Sequence, residues 1–172
     1  MKPIQFILIM LCMGLLCGTS CEKDNVKEWT ELPPETQTGA NTIGCLVNGE
    51  LWATSKRQGS FKYPAMIATY VNHQSYVNLD FYAEGVNGTI GFTIKNPRLG
   101  SNNAEVFCRF NSTAGCTIML ENISELYITK MDIDKKILSG RFAFDVPCKE
   151  DTTKILHITE GRFDMYMRVS GE

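Results

Sequence analysis

The stretch Arg162-Phe163-Asp164-Met165-Tyr166-Met167-Arg168-Val169 decides the fold class. Phe163, Met165, Met167 and Val169 alternate with Arg162, Asp164, Tyr166 and Arg168. Only a strand turns a period of two into one apolar and one polar face. The pattern predicts the first set against a core and the second set facing water. Residues 154–160 alternate in the same way, and Glu160-Gly161 between the two runs reads as a turn with positive φ at the glycine.

Outward from this stretch the same period holds back to Asn41. It predicts strands at 42–47, 50–54, 66–71, 76–83, 89–94, 104–108, 116–120, 126–134 and 137–146. Asn48-Gly49 is the strongest hairpin turn in the chain. In 76–83, Val77, Leu79, Phe81 and Ala83 point inward, and Tyr76, Asn78, Asp80 and Tyr82 point outward. Trp52 faces in, as do Ile90, Phe92 and Ile94, and Phe142, Phe144 and Val146 share a face. Residues 95–103 read as a Pro/Gly loop, and 122–126 as the one place for a helical turn outside the leader. Gly140 inside a strand signals a bulge or a close backbone approach. The expected fold is all-β: an antiparallel β-sandwich or flattened barrel of roughly 9–11 strands, formed by one domain over 41–172.

The N-terminus is of another kind. Lys2 precedes an apolar run from Ile4 to Leu16, then Gly18, Thr19, Ser20, Cys21 and the charged Glu22, Lys23 and Asp24. The run is shorter than the roughly 20 residues a membrane-spanning helix needs, and suits the core of a secretory leader. Gly18-Thr19-Ser20-Cys21 resembles the lipobox of bacterial lipoproteins, with Gly18 where that pattern prefers Leu. The resemblance implies a leader at 1–20, a lipid on Cys21 and attachment to the outer membrane. Cys21-Glu22-Lys23-Asp24 also resembles surface-export signals of Bacteroidota lipoproteins, so the exposed face is either the cell surface or the periplasm. Residues 21–40, rich in charge and carrying Pro33 and Pro34, read as a flexible or extended tether.

Of the 172 residues, 17 are basic and 19 acidic, a formal charge of −2 that drops by one more when Lys2 leaves with the leader. Such a chain is not built for nucleic acid. With Cys12 and Cys17 removed and Cys21 given to lipid, Cys45, Cys108, Cys116 and Cys148 remain. An exported domain oxidises such a set, and two disulfides have three possible connectivities. A hairpin centred on Ser112 sets Cys108 against Cys116, Val106 against Ile118 and Ala104 against Leu120, which predicts a Cys108–Cys116 bridge. Elimination then pairs Cys45 with Cys148, unless Cys45 is a buried free thiol.

Catalytic signals are sparse. Asp132 and Asp134 lack the glycine and distal glutamate of a calcium loop, and read as a strand end with an Asp-initiated turn. His73 and His157 stand apart from any nucleophile motif. Asp80, Asp145, Glu160 and Asp164 are acids without a visible pairing. No metal site, cofactor or catalytic residue is expected. The outward tyrosines Tyr76, Tyr82 and Tyr166 form a candidate ligand platform, since exposed aromatic faces stack on sugars or partner proteins.

Three segments carry a resemblance: residues 41–52 (NTIGCLVNGELW), 138–144 (LSGRFAF) and 158–164 (ITEGRFD). In order and spacing they resemble an uncharacterised family of Bacteroidota cell-envelope lipoproteins. The resemblance implies export and a single β domain. The expected role is a non-enzymatic binding or interaction module for a glycan, small molecule or partner protein. The alternatives are a purely structural surface lipoprotein, or a lipocalin-like carrier with an apolar cavity.

Overall fold

The computed structural model describes residues 29–55, 66–72, 77–85, 88–110, 116–149 and 151–170. The leader, Cys21, His73 and Tyr76 lie outside them, as does the side chain of Cys116. Nine strands form one sheet: β1 (Thr42–Val47), β2 (Glu50–Ser55), β3 (Met66–Asn72), β4 (Val77–Gly85), β5 (Gly88–Lys95), β6 (Gly100–Phe110), β7 (Cys116–Asp132), β8 (Ile137–Pro147) and β9 (Ile155–Ser170).

From β3 to β9 each strand runs antiparallel to the next. An odd number of such strands leaves the first and last pointing the same way. The seven strands therefore close through a parallel pairing of β3 with β9, from Ala68 opposite Met167 to Val71 opposite Ser170. Closure gives a barrel rather than a two-sheet sandwich, and removes the edges a sandwich leaves open. The β1–β2 hairpin stands outside the ring, with β1 antiparallel to the first half of β9. Asn48 and Gly49, with φ of 50° and 86°, make the expected tight turn.

Three local readings are corrected. Glu160-Gly161 is not a turn, because β9 runs through it. The positive φ of 52° belongs to Glu160, and the register slips there against both β1 and β8, which marks a bulge. Gly161 answers a need for space: a Cβ there would sit inside the Phe142 ring and against its carbonyl. Residues 122–126 are not helical but part of β7, a strand of 17 residues. In the β6–β7 hairpin Cys108 faces Ile118, and Cys116 faces Phe110. The ladder leaves the turn with Phe110 opposite Cys116, two places away from the register of a hairpin centred on Ser112, and this offset parts Cys108 from Cys116. Further along, register shifts at Val106/Cys108 and Asn102/Ala104 mark bulges. Gly140 does mark a close approach, with a Cβ at that position meeting the Tyr127 carbonyl and the Phe163 ring.

The interior is filled by side chains. Phe81 and Phe92 from β4 and β5 meet Phe142, Phe144 and Phe163 from β8 and β9, with ring centroids 4.6–6.4 Å apart. These rings reach across the barrel, so it is flattened and packed. Trp52 of β2 sets its ring edge-on to Phe110 at 5.8 Å, so the extra hairpin closes over the β4–β6 side. Cys45 and Cys108 lie fully buried in this core as free thiols. Neither the Cys108–Cys116 nor the Cys45–Cys148 bridge therefore forms. Cys148 is also buried, and is disulfide-bonded to a partner outside the described side chains.

The described part of the tether is not a free spacer. Pro33 packs on Gly44, and residues 36–40 fold over Asp164. Asp164 points away from the core, as the alternation predicts, yet it is only 1% exposed because this strap covers it. Its carboxylate accepts six hydrogen bonds, from Thr36 Oγ1, Thr38 N and Oγ1, Gly39 N, Ala40 N and Ser139 Oγ, at 2.5–3.3 Å. Burial pushes the Asp164 carboxyl up, but the bonds from Thr36, Ala40, Ser139 and Thr38 outweigh it and hold the group at about 2.

Candidate functional site

The outer face of β3–β6 carries two rows of side chains set by the strand register. In one row Ile67 lies opposite Tyr82, Tyr82 opposite Gly91, and Gly91 opposite Phe107. In the next row Thr69 lies opposite Asp80, Asp80 opposite Thr93, and Thr93 opposite Glu105. Gly91 contributes no side chain, so a dip opens between Tyr82 and Phe107. The two rows line a groove of about 310 Å³.

The groove is apolar along one wall and acidic along the other. Tyr82 is 37% exposed and presents ring surface to it. Strands lie about 4.8 Å apart, so Tyr82 on β4 and Phe107 on β6 stand about 10 Å apart across Gly91. In the polar row Thr93 Oγ1 donates to Asp80 Oδ1 at 2.7 Å, and Lys95 pairs with Glu105 at 3.8 Å. A single carboxylate keeps several lone-pair positions after one such bond, so both acids still accept hydrogen bonds from a ligand.

Of the three tyrosines expected to form a platform, Tyr82 lies in the groove and Tyr76 lies outside the described residues. Tyr166 is 53% exposed on β9, one residue before the partner of Ala68, but its ring covers Gly39 of the strap. The aromatic partner of Tyr82 is Phe107, which sequence reasoning passed over. Its signal is in the alternation: Ala104, Val106 and Cys108 share one face of the strand, which turns Phe107 to the other.

The other sequence candidates lie elsewhere. Asp132 caps the turn after β7, accepting the Lys135 amide at 2.9 Å. His157 Nδ1 and Asp145 Oδ1 meet at 2.9 Å as exposed cross-strand neighbours, far along the barrel from the groove rows. Among the described residues no group of three His, Cys, Asp or Glu is placed to hold a metal ion. No family model, curated protein or solved structure matches the chain.

Proposed function

We propose that this chain is a non-enzymatic saccharide-binding module of the bacterial envelope, tethered to the outer membrane by lipid on Cys21. The observation that carries the binding reading is the β3–β6 groove, where Tyr82 and Phe107 flank Gly91 beside Thr69, Asp80, Thr93 and Glu105. A sugar ring has an apolar C–H face and a rim of hydroxyls. The aromatic wall suits the face, and the carboxylate and hydroxyl row suits the rim. A groove open to solvent along its length accommodates a chain rather than an enclosed small molecule. The carrier reading needs an apolar chamber, and the space it would use is taken by the phenylalanine cluster.

Asp80 and Glu105 also raise a hydrolytic reading, since paired carboxylates about 5–9 Å apart cleave glycosides. Here Asp80 is tied to Thr93 and Glu105 to Lys95, which suits both to holding hydroxyls rather than exchanging protons. The test is a glycan array followed by titration of the full chain with the best ligand, alongside Tyr82→Ala and Phe107→Ala. Loss of one stacking face is expected to weaken binding about tenfold, roughly 1–1.5 kcal/mol. Unchanged affinity in both variants overturns the reading, and release of new reducing ends replaces it with hydrolysis. The anchor is tested apart from this: labelled palmitate is incorporated by the parent and not by Cys21→Ala.

A further inference from the structure

On the far side of the barrel, Arg141 of β8 lies directly opposite Arg162 of β9, and Tyr127 of β7 lies opposite Arg141. Like charges directly across a ladder are destabilising, so this pair needs anionic company. Two hollows, of about 110 and about 430 Å³, meet at this point, and both are lined by Glu35, Arg141 and Arg162. Glu35 belongs to the strap. Its carboxylate pairs with Arg141 Nε at 3.3 Å, and Lys130 Nζ holds the next strap carbonyl but one, that of Gln37, at 2.9 Å. Arg162 donates to the carbonyl and the carboxylate of Glu160 at 3.3 and 3.4 Å. Glu35 and Glu160 are thus the acids facing the arginine pair. They differ in kind: Glu160 sits on the same strand as its arginine, whereas Glu35 arrives from a segment without secondary structure of its own.

We propose that Arg141, Arg162 and Tyr127 form a second binding site, for the carboxylate of an acidic sugar, and that Glu35 occupies it as an internal stand-in. Arginine forks bind carboxylates through paired N–H donors, and Arg141 already holds one carboxylate, that of Glu35, beside its Nε. Tyr127, 52% exposed, also lines the larger hollow beside the fork, together with the small Ala143. An incoming uronate displaces Glu35, which swings out with its side chain while Thr36 and residues 38–40 stay latched on Asp164. The two hollows then join into one. This site shares no residue with the β3–β6 groove, so either stands without the other.

The test titrates the full chain with an oligogalacturonate, with its neutral galactose counterpart as control. Glu35→Gln is expected to bind the uronate up to about fivefold more tightly than the parent, the share an exposed ion pair holds back. Adding Arg141→Gln or Arg162→Gln to Glu35→Gln is expected to weaken binding at least about tenfold. Arg141 is the more exposed of the two, so Arg141→Gln keeps the test valid if Arg162→Gln does not fold. If Glu35 is only a brace for the strap, Glu35→Gln lowers the melting temperature and gains no uronate affinity, and the proposal fails. It fails equally if the uronate binds no better than the neutral control, or if binding ignores both arginine substitutions.

Discussion

Asp164 accepts its six hydrogen bonds with almost no access to water. A buried carboxylate is tolerated only when its lone pairs are satisfied in this way, and removing it orphans every donor at once. Asp164→Ala should cost about 3 kcal/mol or more in urea unfolding at neutral pH. A loss below about 1 kcal/mol would contradict this reading. The pH dependence has a definite sign. The folded carboxyl sits at about 2, below its ordinary value of 3.8, so its contribution is complete above 3.8 and fades as pH falls toward 2. That lowering corresponds to a contribution of about 2 kcal/mol. The urea midpoints of the parent and Asp164→Asn should therefore draw together between pH 4 and pH 2. The cysteines give a second residue-scale prediction. Burial pushes the Cys108 thiol up to about 12, and burial with Cys108 alongside pushes Cys45 higher still. A thiol that cannot ionise does not react. Iodoacetamide at pH 8 should leave both unmodified in the folded chain and label both in urea. With those two free, and Cys21 carrying lipid as proposed, non-reducing peptide mapping should find Cys148 joined to Cys116. A Cys45 or Cys108 cystine would refute the assignment.

At the scale of the element, β9 teaches most. It pairs with β8, β1 and β3 in turn, and the extra residue at Glu160 lets it bend between partners. Gly161→Ala should be destabilising by about 2–4 kcal/mol, because the new methyl collides with the Phe142 ring and carbonyl inside a packed core. A chemical denaturation curve equal to that of the parent would show that the bulge has room to spare. The alternation of Phe163, Met165 and Met167 was enough to place them in the core, as were Leu79-Phe81-Ala83 and Ile90-Phe92-Ile94. Strand identity was legible because a period of two is local. Continuity through Glu160 was not, because a residue at positive φ followed by glycine makes both turns and bulges, and only the neighbouring strands decide between them. Val169 shows the same limit: it keeps the parity of Met167 but is 40% exposed, near the strand's end. The β6–β7 register failed for a related reason. A two-residue offset in where a hairpin turns keeps every side chain on its own face, so it leaves no mark in the alternation, and a cysteine pair read from a turn centred on Ser112 lost its partner.

At the scale of the molecule, topology explains what the sequence left open. Barrel and sandwich share the same strand pattern, and the choice rests on whether an odd meander closes on its own first strand. Closure turns half of every strand outward, and it is on that outer face that both proposed sites lie. Tyr82 was legible as an exposed aromatic. The groove was not, because it needs Tyr82, Gly91 and Phe107 from three strands at one level, a relation held in the register alone. The strap was invisible for the opposite reason: its composition is that of a spacer, and only a buried acid waiting on β9 gives it a place to dock. Cutting the chain before Asn41 would therefore take five of the six hydrogen bonds from Asp164 and leave only that from Ser139, and a fragment beginning there should melt well below the full chain.

If the β3–β6 face holds a sugar chain, as proposed, backbone amide shifts of the isotope-labelled full chain will report it in a titration with the best array glycan. Saturable shifts are expected to centre on Tyr82, Gly91, Thr93 and Phe107 and to leave β8 and the β1–β2 hairpin unmoved. Shifts that gather elsewhere on the barrel, or a spectrum unchanged at millimolar glycan, would contradict it.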